Sequence, residues 1–200
     1  MLPIMAIEGY ATQAGTARYR ARMRCHPTHF RPFQQWWASS IGLGTYLGDP
    51  DERTDRSYAQ AVERAVASSC NLLDTAINYR CQRSERVIGH ALARLIATGA
   101  MQRDEVILCS KGGYVPFDGD IPPDPTQYVR KTFMESGLIS PDELVAGCHC
   151  LSPRYLEHQL DTSLKNLGIA TLDVYYLHNP EQQLEAISNA IFHSRIEAVF

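Results

Sequence analysis

The sequence lacks long hydrophobic runs, a strong charge of either sign and a disulfide-like spacing of cysteines. No window approaches the roughly 18 consecutive apolar residues of a membrane span, so we expect no membrane association. Nineteen basic and 22 acidic residues give a formal net charge of −3, without runs of like charge. Because nucleic-acid binding needs a basic face that neutralises phosphates, we also expect no nucleic-acid partner.

The amino terminus and the cysteines indicate the compartment. The stretch MLPIMAIEGY has neither the basic start nor the sustained apolar segment of a signal peptide. Several of the six cysteines fall inside apparent strands or helices, where cysteine is usually a small buried hydrophobic residue. We therefore expect a cytoplasmic protein with reduced thiols, and its oligomeric state stays open.

Four apolar runs alternate with helical patterns. The runs SIGLGTY, NLLDTA, EVILCSK and LDVYYLH each predict a strand. Helical spacing follows from about Asp55, in SERVIGHALARLIATG, in SPRYLEHQLDTSLKNLG and in EQQLEAISNAIFHSRIEAVF, which continues to the last residue. This alternation predicts right-handed βαβ units and a parallel sheet of the α/β class. An open doubly wound sheet and a (β/α)8 barrel both fit.

Capping residues predict several helix boundaries. Ser84 is the expected N-cap of the second helix, and Gly99 is expected to end it. Ser152, with Pro153 at the first helical position, should begin the third. The segment DPDERT is expected to separate the first strand from the first helix.

Residues 1–38 precede the alternation and should be an irregular extension that ends in a hairpin. In HFRPFQQWWASS, Phe30 and Phe33 would precede the turn, and Trp36 and Trp37 would follow it. A hairpin placed before the first strand would cap the floor of a barrel, opposite the active-site end. Residues 39–200 would then form the partial barrel domain.

Residues 114–150 form a long insertion with five prolines. Short helices are expected near Thr126–Met134 and after Ser140. Because the insertion follows the third strand, it should lie at the active-site end and shape the substrate pocket.

Polar residues end three consecutive predicted strands. These are Asp74, Lys111 and His178, and Tyr79 lies just past the first of them. The carboxyl ends of parallel strands share one rim, so the four side chains should converge. Together they suit carbonyl reduction, in which hydride attack leaves an alkoxide that needs a proton and charge stabilisation. The phenol can give that proton, the ammonium can stabilise the phenolate, the carboxylate can hold the ammonium and the imidazole can orient the carbonyl.

Five stretches resemble the aldo-keto reductase family. DTAINY matches the family's D-T-A-x-x-Y motif, and SERVIGHAL matches its S-E-x-x-x-G-x-A-L helix. LCSK places a lysine at the end of strand three, and GLGTY resembles the first barrel strand. SLKNLGIATLDVYYLH matches S-L-x-x-L-x-x-x-x-x-D-x-Y-x-x-H. The resemblance covers roughly residues 40–195.

The resemblance implies a (β/α)8 TIM barrel and an NADP-dependent oxidoreductase that reduces a small-molecule aldehyde or ketone. Tyr79 would be the proton donor, Lys111 and Asp74 its tuning pair, and His178 the residue that orients the substrate. The residues that would flank the cofactor are Gly44, Thr45, Tyr46 and Asp74.

Two features depart from the family pattern. The residue after the family tyrosine is often Gly, but here it is Arg80, which would add positive charge near the substrate mouth. A complete barrel takes about 250 residues, so the chain would be the N-terminal half of a barrel, truncated after the fourth βα unit. It would lack the family's principal phosphate- and adenine-binding segments. The alternatives are a catalytically silent fragment or a non-catalytic relative that binds a ligand or partner.

Two other patterns carry less weight. GLGTYLG has the spacing G-x-G-x-x-x-G, with DPDERT before any helix, whereas a dinucleotide fingerprint needs the helix to open at the glycines. The stretch CHC at residues 148–150, with His158 nearby, matches no standard zinc-ligand spacing. We expect a structural loop there and no metal site.

Overall fold

The computed structural model describes residues 6–200. Its strands are β1 (Phe30–Phe33), β2 (Trp36–Ser39), β3 (Leu43–Gly44), β4 (Leu72–Asp74), β5 (Ile107–Gly112) and β6 (Val174–Leu177). Its α-helices are α1 (Gln13–Arg22), α2 (Glu52–Ala67), α3 (Arg83–Ala97), α4 (Pro125–Val129), α5 (Pro153–Leu167) and α6 (Asn189–Val199). Short 3₁₀ helices cover Arg103–Glu105 and Pro180–Glu185, and a π-helical segment covers Arg130–Met134.

The main sheet is parallel and has the order β3-β4-β5-β6. Helices α2, α3 and α5 each precede the next strand, so the predicted parallel βαβ arrangement is confirmed. The register places Asp74 opposite both Gly44 and Cys109, and Lys111 opposite Tyr176. The predicted strand ends therefore meet at one rim of the sheet.

The two faces of the sheet pack against different partners because successive side chains of a strand point in opposite directions. Leu73 and Leu108 are buried against the helices, in a cluster with Val62 of α2, Ile88 of α3 and Leu167 of α5. The other face corresponds to the interior of a barrel. Its amino-terminal part is apolar and carries Leu72, Ile107, Cys109 and Val174.

The predicted hairpin is β1–β2, and it covers this amino-terminal part of the inner face. Phe33 pairs with Trp36 across the turn, as the sequence predicts. Trp36 packs against Ile107 and Cys109, and its indole N–H donates to the Ala11 carbonyl at 2.7 Å. The hairpin thus lies at the end of the sheet opposite the carboxyl rim.

The prediction of an irregular segment before the hairpin is wrong, because α1 lies there. Apolar residues do not concentrate on one face of this helix, so no apolar stripe marks it in the sequence. Its ionic contacts are instead distant in sequence, since Arg18 pairs with Asp104 and Glu105, and Arg22 also pairs with Glu105. Thr12 caps the helix by accepting a hydrogen bond from the Gly15 N–H.

Two predicted helix starts are wrong by a few residues. Helix α2 begins at Glu52, because Asp51 accepts a hydrogen bond from the Thr54 N–H at 2.7 Å and caps it inside the expected break. Ser84 is not the N-cap of α3: Gln82 holds that position, and the Ser84 hydroxyl donates to the Thr45 carbonyl.

The other predicted boundaries have mixed outcomes. Gly99 follows the end of α3 with a φ of +71°, and Ser152 and Pro153 begin α5, as predicted. Residues after Ser140 form turns rather than a helix. The final predicted helix is two elements, because the 3₁₀ segment ends before Ser188 caps α6.

The insertion is a packed unit rather than an open loop. Helix α4 and the π-helical segment occupy the predicted helical position. Phe133, Ile139 and Cys150 form a small core with Val129 and with Tyr155 of α5. The Val115 N–H donates to the Cys148 carbonyl, so both ends of the insertion meet at the carboxyl end of β5.

Three other expectations drawn from the sequence concern membrane association, the state of the cysteine thiols and a signal peptide. None of the helices found in residues 6–200 combines the length and apolar character needed to cross a membrane. All six cysteines have free thiols. The signal-peptide interpretation rests partly on residues 1–5, which lie outside the described residues.

Candidate active site

An ion pair connects two neighbouring strands at the carboxyl rim. Asp74 is the last residue of β4 and Lys111 the penultimate residue of β5, and their side chains share the inner face. The Lys111 ammonium lies 2.6 Å from Asp74 Oδ2 and also donates to the Thr75 carbonyl at 2.8 Å. The lysine side chain is 16% exposed and the aspartate 38%, so the pair sits at the edge of solvent.

Tyr79 takes the third hydrogen bond of the ammonium. Lys111 Nζ lies 3.2 Å from the Tyr79 hydroxyl and 4.7 Å from the centre of its ring. An ammonium has three donors, and here Asp74, Thr75 and Tyr79 accept all three. Because the Tyr79 oxygen accepts from the lysine, its own proton remains available for donation into the adjoining cavity.

His178 lies beside Tyr79 as a neutral imidazole. The two rings meet edge to face with centroids 5.5 Å apart, and Tyr114 contacts the other side of the histidine at 5.0 Å. Burial, followed by the positive charge of Lys111, lowers the pKa of His178 to about 4. At neutral pH the ring can therefore donate or accept a hydrogen bond but carries no charge.

These four side chains line one open cavity of about 480 Å³. Its lining residues are Asp74, Tyr79, Lys111, Tyr176, Leu177, His178 and Asn179. A larger cavity of about 550 Å³ lies between α3 and α5 on the outer side of the sheet and contains none of the four. The smaller cavity is the better candidate, since acid, phenol, amine and imidazole converge only there among the cavities of the described residues.

Besides Asp74, the three other residues expected beside the cofactor are placed differently from one another. A Cβ built on Gly44 meets nothing within 4 Å, so open space lies above the rim there. Tyr46 is 66% exposed, and its ring lies 5.0 Å from that of Tyr79. The Thr45 side chain is buried and donates to the Thr75 hydroxyl at 2.9 Å, so it faces the protein interior.

Arg80 does not add charge to the substrate mouth, contrary to the sequence-based expectation. Its side chain is buried, with a guanidinium nitrogen 2.5 Å from Asp55 Oδ1 and another bonded to the Asp49 carbonyl. Arg80, Cys81 and Gln82 all have positive φ, between 50° and 68°. Left-handed backbone costs a non-glycine residue about 1–2 kcal/mol, and the Arg80 contacts offset part of that cost beside Tyr79.

Sequence reasoning missed several residues around the site. Tyr176 of β6 lies two positions before His178. Because side chains alternate along a strand, this spacing could have placed Tyr176 on the same face as His178. Leu177 and Asn179 also line the cavity. The contact between His149 and His178 could not be predicted from the sequence, because the two residues are 29 positions apart and no local pattern connects them.

The CHC stretch is part of the protein interior. His149 Nε2 lies 2.8 Å from the His178 carbonyl, and its Nδ1 lies 2.8 Å from the Gln183 side-chain nitrogen. Both ring nitrogens are thus occupied by protein groups. Within residues 6–200, no group of three or more His, Cys, Asp or Glu side chains is placed to hold a metal ion.

Comparison with known proteins gives a family match over most of the chain. The model of the Aldo/keto reductase family matches residues 40–200. Prostaglandin F synthase 1 of Bos taurus is 23% identical over 159 residues, which is 80% of this chain and 35% of that protein. Prostaglandin F synthase 2 of the same species gives the same values. The chain spans about a third of the length of these relatives.

A solved structure supports the same fold. A Pseudomonas aeruginosa protein described as an aldo-keto reductase superposes with a TM-score of 0.54 at 22% identity, over 89% of this chain and 57% of that one. An aldo-keto reductase of Klebsiella pneumoniae, solved in complex with NADPH, has a TM-score of 0.47 at 20% identity, over 81% and 44%. Because the family model matches residues 40–200 and the main sheet is parallel, this chain belongs to the aldo/keto reductase family.

Proposed function

We propose that this chain carries the catalytic groups of an NADP-dependent oxidoreductase that reduces a small aldehyde or ketone to an alcohol. The observation that supports the proposal most is the Lys111 ammonium, which bonds Asp74 and Tyr79 at the same time. Family membership supports the same reaction class.

The rim residues fit the nicotinamide end of such a cofactor. Open space lies above Gly44, and Tyr46 and Asp74 border the same part of the rim. These three residues would hold the ring beside the cavity, with only the backbone of Thr45 contributing. When bound, the cofactor supplies the hydride that reduces the carbonyl carbon.

The protein groups would manage the proton and the charge. As negative charge develops on the carbonyl oxygen, the Tyr79 hydroxyl would give its proton to that oxygen. The Lys111 ammonium, 3.2 Å away, would stabilise the phenolate that remains. Asp74 keeps the ammonium in place, and the neutral His178 would orient the carbonyl by a hydrogen bond.

Replacing Tyr79 by Phe tests the proposal. Tyr79→Phe keeps the ring against His178 but removes the proton donor, so NADPH-dependent carbonyl reduction should fall by about 10³-fold or more. NADPH binding, followed by its fluorescence, should remain measurable. Tyr10→Phe, at an exposed position away from the rim, is the matched control. Unchanged turnover in Tyr79→Phe would rule out the mechanism.

A second candidate is a chain that binds a ligand or partner without turnover. Within the described residues, strands β3 and β6 are the edges of the sheet, and the chain matches only 35% of its curated relatives. An unpaired strand edge is a surface with which another chain can pair, and this favours a unit that binds a partner. NADPH titration of the purified chain separates the two candidates: saturable micromolar binding with carbonyl-dependent oxidation supports the enzyme, and saturable binding without oxidation supports the second candidate.

A further inference from the structure

His149, in the insertion, lies outside the cavity but contacts a residue that lines it. The imidazole is fully buried, and its Nε2 lies 2.8 Å from the backbone carbonyl of His178. On the other side of that residue, the His178 N–H donates to the Gly112 carbonyl at 2.7 Å. Both backbone polar groups of His178 are thus held, one of them by an imidazole.

The contacts of His149 determine which of its nitrogens carries hydrogen. A carbonyl oxygen only accepts, so Nε2 must donate to His178. An amide nitrogen only donates, so Nδ1 must accept from the Gln183 side chain, 2.8 Å away. The ring is therefore neutral, with its hydrogen on Nε2.

The orientation of the Gln183 amide is determined in turn by Arg195 of α6. Gln183 is fully buried, and its Oε1 lies 2.5 Å from Arg195 Nη1. A guanidinium has donors but no acceptor and stays charged, so the amide oxygen must face it. The amide nitrogen then faces His149. The hydrogen bonds run in one direction, from Arg195 through Gln183 and His149 to His178.

The sequence leaves space for this arrangement at Gly113. A Cβ at that position would lie 2.8 Å from His149 Nε2 and 3.2 Å from the His178 carbonyl oxygen. It would therefore crowd both atoms that form the hydrogen bond. The φ of Gly113 is +138°, which side chains rarely adopt. Tyr114 then packs its ring against both imidazoles, with centroids 4.8 Å and 5.0 Å away.

We propose that His149 is a positioning residue for the reaction, held in its Nε2–H form by the chain of hydrogen bonds from Arg195. This inference rests on the proposed function, because it acts through His178. By holding the His178 carbonyl, His149 keeps the neighbouring imidazole of His178 at the Tyr79 ring. The insertion and α6 thereby control the geometry of the catalytic rim.

Kinetics of two substitutions test the positioning role. His149→Leu removes the donor, and kcat/KM for the carbonyl should fall by about 10- to 100-fold, with a raised carbonyl KM and an unchanged Kd for NADPH. His149→Gln, whose amide can donate to the same carbonyl, should recover most of the loss. His90→Gln, at an exposed histidine of α3, is the control. Equal losses in His149→Gln and His149→Leu, or no loss in either, would overturn the proposal.

A spectroscopic test needs no turnover. In the full chain with isotope-labelled histidine, the signals lost in His149→Gln identify His149, and its nitrogen shifts should report a hydrogen on Nε2 and a bare Nδ1. Gln183→Glu replaces the donating amide by a carboxylate that only accepts, so Nδ1 should become protonated. A wild-type ring with its hydrogen on Nδ1, or an unchanged Nδ1 in Gln183→Glu, would contradict the inference, independently of Tyr79→Phe.

Discussion

The two ends of the inner sheet face differ in what covers them. At the amino-terminal end, Ile107 and Cys109 of β5 are buried under Trp36. Lys111, two residues further along the same strand and on the same face, lies at the open cavity and bonds Asp74. The position of a residue along the strand, rather than the strand to which it belongs, therefore decides whether it packs in the core or lines the cavity.

The two ends also rely on different interactions. The amino-terminal end depends on apolar area removed from water, which is not directional. The carboxyl end depends on hydrogen bonds, since the Lys111 ammonium uses its three donors on Asp74, Thr75 and Tyr79. Substitutions at the two ends should therefore change different measured quantities.

The largest expected effect is on catalysis at the carboxyl end. Lys111→Met removes the cation beside Tyr79, and kcat/KM for the carbonyl should fall by about 10³-fold or more. The midpoint of thermal unfolding should change little, because ion pairs at the edge of solvent contribute little to stability. A loss of stability comparable to that of a core substitution would contradict the division between the two ends.

The next effect is on stability at the amino-terminal end. Trp36→Ala should lower the free energy of unfolding by about 3–5 kcal/mol, because it leaves a cavity against Ile107 and Cys109. Trp37→Ala is the matched control, since Trp37 is only half-buried and packs against Arg20. Denaturant unfolding measures both, and an unchanged stability of Trp36→Ala would show that Trp36 does not support this end.

A smaller effect concerns pH at the carboxyl end. Burial and the neighbouring Lys111 ammonium lower the pKa of His178 from 6.5 to about 4. As pH falls below 6.5, the unfolded chain takes up this proton before the folded chain does, so stability should decrease down to about pH 4. His178→Gln should reduce this dependence of the unfolding free energy on pH, while identical pH profiles would contradict the assignment.

The smallest effect concerns the turn of the hairpin. Gln34 has a φ of +52° between β1 and β2 and its side chain is exposed. Gln34→Gly should raise the free energy of unfolding by about 0.5–1 kcal/mol, because glycine adopts left-handed backbone without strain. Carbonyl reduction should stay unchanged, and a destabilised variant would show that the Gln34 side chain supports the hairpin.

The sheet and the rim were predictable because their signals are local. Apolar runs with helical spacing between them define the βαβ units, and parallel strands bring their carboxyl ends together. Asp74, Lys111 and His178 were identified because each lies at or beside the end of such a run. Tyr79 followed from its position just past β4.

The remaining features depend on partners that are far away in sequence. Helix α1 has ion pairs to Asp104 and Glu105 instead of an apolar stripe. The Arg80 side chain points inward because it forms an ion pair with Asp55 of α2. His149 can donate a hydrogen bond to the His178 carbonyl because Gly113, which has no side chain, leaves space for it. No periodicity encodes such contacts.

The most direct test of the rim as one catalytic unit is a double-mutant cycle. Carbonyl reduction is measured as kcat/KM for the wild-type chain, Tyr79→Phe, Lys111→Met and the double variant. Because the ammonium acts through the phenol, the double variant should lose about as much activity as either single variant. Losses that multiply would mean that Tyr79 and Lys111 act independently, which would contradict the account.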